Sequence, residues 1–383
     1  PVLLKNKDND DVAVVSVDGQ YSYVGHLVVD FDASGKLITS SINANESRPF
    51  PTDSLMVDSL FGQNYSKAFV ANKKGGMVKT LTDAVSSIVI AKDGNIVGKT
   101  DVFLDGRRQT VRTQESNMGN LTADANHAAA KAYDNDVVFS LKNGGGIRAA
   151  IGSIIEEDPG VFTYAPPAAN PLSGKKEGEV SQLDLENTMK FNNKLTIVTT
   201  NPTGLKALVE HGVAAWAVGA TPGQMLQIGG GMLSFDPSKS AGSRIWNFVL
   251  VDANGNVTDT IVREGMVHGN PNRTIKMVTL NFLAGGGDGY PFSTASQGMI
   301  QMDTIIGLPA GSFSFAVAGS EQDALAEYMD FNHSLYPFEE SETPVEEDER
   351  IQILSKRADG LFPVSLEFAD NVIEESETSS MVS

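Results

Sequence analysis
The chain's 383 residues, 41% of them hydrophobic and 20% charged, have globular composition and are enough for two ordinary domains or one large domain with appendages. Its 48 Asp and Glu outnumber 29 Lys and Arg, and the net charge of −19 argues against a nucleic-acid backbone or an anionic membrane surface as partner. Cysteine is absent, which excludes a disulfide framework, a thiolate metal site and a cysteine nucleophile.

The sequence opens PVLLKNKDNDD, without an initiator Met, a basic n-region or an apolar core, and no apolar run reaches the length of a bilayer span. Such a start leads to the expectation of a processed chain or a piece of a longer polypeptide. Residues 11–41 read as two or three antiparallel strands with Asp-Gly and Ser-Gly turns, too short to bury a core alone. From Arg48 to Lys74 the text is irregular; Met77, Val78, Leu81, Val85, Ile88 and Val89 then recur at helical spacing over 77–91. NIVGKTDVFLDG reads as a strand and a turn. ESNMGNLTADANHAAAKAYD reads as an Ala-rich helix that packs closely through small residues, and VVFSLKN as a short apolar strand.

Residues 152–182, rich in Gly, Pro and Glu, read as a surface excursion. A helix over SQLDLENTMKF and a strand over NKLTIVTTN follow, then a helix over TGLKALVEHGVAAW with Leu205, Leu208 and Val209 on one face. LQIGGGMLSFD, IWNFVLVDANGNV and TIKMVTLNFLAGGGDGY add strands with Gly-rich turns, and SEQDALAEYMDFNHSL is a last helix. The acidic run EESETPVEEDE reads as a solvated linker, with some order returning in ERIQILSKRAD before an acidic, Ser-rich end. Helices interleaved irregularly with mixed strands predict an α+β or mixed α/β fold in preference to a doubly wound parallel sheet.

Two glycine clusters stand out. Asn143-Gly-Gly-Gly-Ile-Arg148 follows a strand directly. It reads either as a tight turn or as a nest of backbone N–H groups facing an anion, with the Arg148 fork beside it. Asn281-Phe-Leu-Ala-Gly-Gly-Gly-Asp-Gly-Tyr290 places Asp288 either in an Asx turn or facing a pair of sugar hydroxyls. Phe282 reads either as core or as a stacking platform. His26, His127, His211, His268 and His333 are scattered, without His-x-His, HExxH or Asp-x-His, so each reads as structural or solvated. Asp252-Ala-Asn-Gly-Asn256 starts like a calcium loop but has Val257 where Gly is required, and reads as a turn. No G-x-S-x-G elbow occurs.

At these residues the sequence resembles the C-terminal, substrate-binding domain of the 5′-nucleotidase family, which includes UDP-sugar hydrolases and 2′,3′-cyclic-nucleotide phosphodiesterases. The resemblance rests on Arg112-Thr-Gln-Glu-Ser-Asn-Met-Gly-Asn-Leu121, Asn143 to Arg148, Lys190-Phe-Asn-Asn193 and Asn281 to Tyr290. LQIGGGMLSFD at 226–236, followed by Gly242-Ser-Arg244, is a fifth matching stretch, so the likeness covers roughly residues 95–338. It implies that Phe191 and Phe282 stack on the two faces of a base, that Asn193 bonds the base edge and that Asp288 accepts the ribose hydroxyls. Arg112, Asn143 and Arg148 would hold the phosphate. Two departures are a Gln at 114 where the family usually carries a second Arg, and Lys190-Phe-Asn-Asn193 in place of Pro-Phe-Gly-Asn.

The family's chemistry belongs to a preceding metallophosphatase domain with two divalent metals (Zn, Mn, Co or similar), whose Asp-x-His, Gly-Asn-His-Asp/Glu and Gly-His-x-His signatures do not occur here. YVGHLVVDFDASGKLI resembles the exit of that domain, with His26 at a non-ligand position. The implied organisation is a remnant of the metallophosphatase domain at 1–47, a linker with helix at 48–94, the substrate domain at 95–338 and an acidic tail at 339–383. The expected function is the nucleotide- or nucleoside-binding portion of an exported phosphohydrolase, extracellular or periplasmic, inactive alone and without a cofactor of its own. Its partners would be the small-molecule ligand and the N-terminal domain of the parent polypeptide, with no nucleic acid and no membrane span. The alternative is a non-catalytic extracellular interaction protein that reuses the domain.

Overall fold
A computed structural model describes residues 1–17, 21–305, 308 and 311–362. The chain divides into two compact units, Pro1–Ile88 and Val89–Ser383. The turn expected at 18–19 and the acidic, Ser-rich end from 363 lie outside the described residues.

The first unit is built from two-stranded antiparallel ribbons. Val2–Lys5 pairs with Asp11–Val14, Tyr23–His26 with Arg48–Pro51, and Asp30–Phe31 with Leu37–Ile38. The last ribbon turns at Asp32, whose carboxylate accepts the Ser34 and Lys36 amides, with Gly35 at φ 79°. Apolar side chains such as Val14, Val24 and Phe31 stay exposed, as expected of strands too short to enclose a core. Helix α1 (Lys74–Asp93) carries the boundary between the units; its stripe of Met77, Leu81, Val85 and Ile88 is exposed.

The second unit holds the hydrophobic core. Ten strands form two five-stranded sheets: β1 (Val137–Asn143), β2 (Leu195–Thr200), β3 (Leu226–Gly229), β4 (Gly231–Phe235), β5 (Ile245–Val251), β6 (Val257–Arg263), β7 (Met266–Val267), β8 (Ile275–Leu280), β9 (Ser296–Gln301) and β10 (Ile351–Ile353). The first sheet runs β3-β1-β8-β2-β9, with β1 and β8 parallel and the other neighbours antiparallel. The second runs β7-β6-β5-β4-β10, with only the β4–β10 pair parallel. Strands β1 and β8 of the first sheet are buried on both faces, which explains why VVFSLKN lacks an alternating pattern. The architecture is mixed α/β, as the sequence predicts.

The helices start where local chemistry tells them to. Ser116 caps α2 (Asn117–Tyr133) by accepting the Gly119 amide, and Ser181 with Asp184 forms a capping box on α3 (Gln182–Thr188). Asn201 caps α4 (Pro202–Ala214), which has Pro202 in its first turn and buries Leu205, Leu208 and Val209 on the predicted face. Ser320 caps α5 (Glu321–His333). The expected small-residue packing of α2 is present: a Cβ on Gly119 would lie 2.0 Å from Gln227 Oε1, and one on Gly229 would lie 3.0 Å from the Ala123 backbone. Most of 152–174 lies at the surface as expected and contains a hairpin, Ser153–Asp158 with Val161–Ala165, that composition did not reveal, but Lys175 and Val180 to Gln182 are buried, with Glu179–Ser181 paired to Ile96–Lys99.

The acidic run is not a solvated linker. Glu346, Glu347 and Glu349 face water, but Asp348 is buried and Glu342 partly so, and β10 joins the second sheet beside β4. Glu342 Oε2 accepts the Asn117 amide at the start of α2, while Glu115 Oε2 accepts the Arg350 and Ile351 amides. The order expected over ERIQILSKRAD is present in β10, where buried Ile351 and Ile353 draw the acidic run that precedes them inward.

Burial pushes the Glu342 carboxyl up to about 8, helped by Asp105, Asp348 and Glu115, and the Asn117 amide opposes it. Burial and then Glu115 push Asp348 up to about 7, against the Thr343 hydroxyl and Arg357. A carboxyl whose folded value is raised binds its proton more tightly folded than unfolded, so its contribution is present at low pH and lost as pH rises through the folded value. Urea denaturation should therefore show stability falling as pH rises from about 4, the ordinary carboxyl range, to about 8, by several kcal/mol. Glu342→Gln should flatten that decline; a decline left unchanged would count against this origin.

Candidate functional site
Four strand ends deliver loops to the same edge of the first sheet. Asn143 closes β1 opposite Leu226, which opens β3, and Leu280 closes β8 opposite Leu195, which opens β2. Beyond that edge lie the Gly144–Arg148 turn, the Asn281–Tyr290 loop, the Phe191–Asn193 segment and the approach to β3 through Gly223. Together with Arg112 they surround a cavity of about 380 Å³. All seven residues singled out in the sequence line it: Arg112, Asn143, Arg148, Phe191, Asn193, Phe282 and Asp288.

Phe191 and Phe282 are 60% and 45% exposed, so neither is a core residue. The Arg148 guanidinium stands 5.5 Å from the Phe191 ring centre and donates to the Gly145 carbonyl. Arg112 is buried, and its Nε has no hydrogen-bond partner among the described residues. Burial, followed by the charges of Arg108 and Arg148, pushes Arg112 below the usual arginine range, with Asp288 opposing. Three guanidinium groups near one cavity make a locally cationic wall on an acidic protein.

Asp288 lies in a turn and also lines the cavity. It sits in the left-handed region at φ 51°, inside a turn. Its Oδ2 accepts the Asn143 Nδ2 at 2.6 Å, tying the two glycine loops together, and its carbonyl is held by His211 Nε2 at 2.9 Å. His211 meets Tyr290 edge-on, and the buried Tyr290 hydroxyl donates to the Gln224 carbonyl at 2.7 Å.

The glycine triplet resolves differently from a nest. Gly144 and Gly145 donate their amides to the carbonyls of Met225 and Gly223, at 2.6 and 2.8 Å. Their value is close approach: a Cβ on Gly144 would lie 1.8 Å from the Val111 carbonyl oxygen, and one on Gly145 would lie 2.7 Å from that of Gly223. Gly223 escaped notice although Pro222-Gly223 is a turn signal. Arg108, whose Nε donates to Thr221, carried no signal. Gln114 is absent from the lining residues; its carbonyl instead accepts the Gln227 amide.

Among the described residues, no three His, Asp or Glu side chains form a group able to hold a metal ion. His127 Nε2 lies 3.1 Å from the Val137 carbonyl, and burial pushes the ring's value down. Asp252 accepts the Asn254 and Asn256 amides, which makes that loop the expected turn. No helix among the described residues is long and apolar enough to cross a membrane.

The family model for the 5′-nucleotidase C-terminal domain matches residues 96–295. The chain belongs to the 5′-nucleotidase family through that domain. It is 28% identical to a snake venom 5′-nucleotidase of Gloydius brevicauda, over 76% of this chain and 42% of the relative. It is 26% identical to the 5′-nucleotidase of Homo sapiens, over 76% and 43%. It thus spans less than half the length of these relatives. A solved 5′-nucleotidase precursor from Thermus thermophilus shares the fold, with a TM-score of 0.55 and 22% identity over 92% of this chain and 54% of that one.

Gly144→Ala should displace the loop carrying Asn143 and Arg148 and cost about 1–3 kcal/mol in urea denaturation. Gly298→Ala, where a Cβ meets nothing within 4 Å, should stay near wild type. Equal behaviour of the two variants would contradict the close-approach account.

Proposed function
We propose that the second unit binds a nucleoside or nucleotide and serves as the substrate-recognition part of a 5′-nucleotidase-type phosphohydrolase. The observation that carries this reading is the convergence of the seven residues, from separated segments of the chain, on one cavity. Phe191 and Phe282 stack on the base, a contact that tolerates any base because each has a π-face. Arg112, Arg148 and Asn143 hold the phosphate, and Arg112 Nε, buried without a partner among the described residues, is free for that role. Asp288 spends one oxygen on Asn143 and keeps the other for the ribose hydroxyls.

Hydrolysis is assigned to a preceding metallophosphatase domain, in which two divalent metals activate water. Two observations support this division: the matched relatives are more than twice as long as the shared region, and Pro1–Ile88 leaves Val14, Val24 and Phe31 exposed for another segment to cover. An extracellular or periplasmic setting follows from the family resemblance.

Calorimetry with adenosine and AMP tests the binding reading. Phe191→Ala and Phe282→Ala should each weaken binding by about 1–3 kcal/mol. Absent binding by wild type, or unchanged binding by both variants, would overturn it. With AMP and added Mn²⁺, Co²⁺ or Zn²⁺ the 383-residue chain should show no turnover; robust phosphate release would refute the division of labour.

A further inference from the structure
Beneath the cavity lies an ion pair that no substrate could touch. Lys142, in β1, and Glu321, the first residue of α5, are fully buried, with Lys142 Nζ 3.3 Å from Glu321 Oε2. Lys142 also lies 3.2 Å from the Met189 sulfur. Replacing a buried pair by apolar side chains is often neutral or stabilising, so stability alone does not account for this one. Its other contacts do. Glu321 Oε1 accepts both the backbone amide and the side-chain Nδ2 of Asn193, each at 2.9 Å, and the Glu321 amide donates back to the Asn193 carbonyl at 2.9 Å. Three N–H donors therefore converge on the two oxygens of one carboxylate, Lys142 Nζ on Oε2 and the two Asn193 nitrogens on Oε1.

A carboxylate oxygen that already accepts the Asn193 backbone amide dictates which way the Asn193 side-chain amide faces. Its nitrogen is drawn toward Glu321, and its oxygen is left for the cavity that Asn193 lines. Among the described residues no donor reaches that oxygen. We propose that Glu321, held by Lys142, is a positioning and specificity residue: it locks the Asn193 carbonyl toward the ligand, so the site selects bases whose edge offers an N–H donor. This rests on the nucleoside-binding reading above. Without the lock, the amide can turn over and present its NH₂ to a ring nitrogen, and the selection disappears.

Adenosine and purine riboside, which lacks the exocyclic amine and has no N–H on its base, make the test. By calorimetry wild type should bind adenosine about tenfold more tightly than purine riboside, the worth of one hydrogen bond made or left unmade. In Glu321→Gln, and in the double variant Lys142→Met with Glu321→Leu, which keeps an apolar interior should the single change not fold, the ratio should fall to about twofold or less. A ratio unchanged in folded variants, or no preference in wild type, overturns the proposal. NMR of the unliganded chain separates this failure from that of nucleoside binding. The Asn193 side-chain amide should exchange slowly in wild type and rapidly in the double variant, whether or not a nucleoside binds. Rapid exchange in wild type overturns the positioning role by itself.

Discussion
The register of one sheet edge governs everything else in the second unit. Leu226 opposes Asn143 and Leu195 opposes Leu280, so two strands end and two begin at the same level. Because β1 and β8 are parallel, their C-terminal ends lie side by side, and the antiparallel β2 and β3 flank them with their N-terminal ends. Four loops from distant parts of the chain are thereby forced together before any side chain contributes. A slip of one residue in either antiparallel pair would turn alternate side chains to the opposite face of the sheet. The strands' fully buried Phe139, Leu141, Met277 and Val278 make such a slip costly, so the core that stabilises the sheet also fixes the cavity.

Glycines then let the loops close to contact distance. Gly144 and Gly145 bring β1's exit against Val111 and Gly223, and the Asn143–Asp288 bond joins the two glycine-rich loops across the cavity mouth. Such approaches are open only to residues without a Cβ. Phe191 and Phe282, by contrast with the buried Phe139, Phe235, Phe248 and Phe292, stay outside the core and line the cavity with their rings exposed.

Much of this was legible in the sequence, for identifiable reasons. Local signals act over a few residues and can be read without the fold, such as the helical spacing of Leu205, Leu208 and Val209 in α4 and the Asp252 turn. The seven cavity residues were legible through a family resemblance; composition and spacing alone left Phe282 and Asp288 ambiguous. Gly223, Arg108 and Glu321 were not legible, because their roles depend on partners far away in the chain: Gly145, Thr221 and Asn193 respectively. The run around Asp348 departs from a solvated linker for a related reason: non-local contacts with Glu115 and β4, which no local charge count reflects, hold it in place.

The segment from Arg112 to Gly119 shows why a motif can be dense with meaning. Arg112 faces the cavity, and the next positions hold it there. The Thr113 carbonyl accepts the Trp216 indole N–H, and the Gln114 carbonyl accepts the Gln227 amide from β3. Glu115 receives the amides of Arg350 and Ile351, so the C-terminal strand is clasped by the same segment that positions a cavity-facing guanidinium. Ser116 caps α2, Asn117 bridges the Phe103 and Glu340 carbonyls, and Gly119 leaves room for Gln227. A charged group facing a cavity has little freedom to relax when both chain directions and two sheets constrain it. The placement of Arg112 therefore rests on neighbours that do not themselves line the cavity.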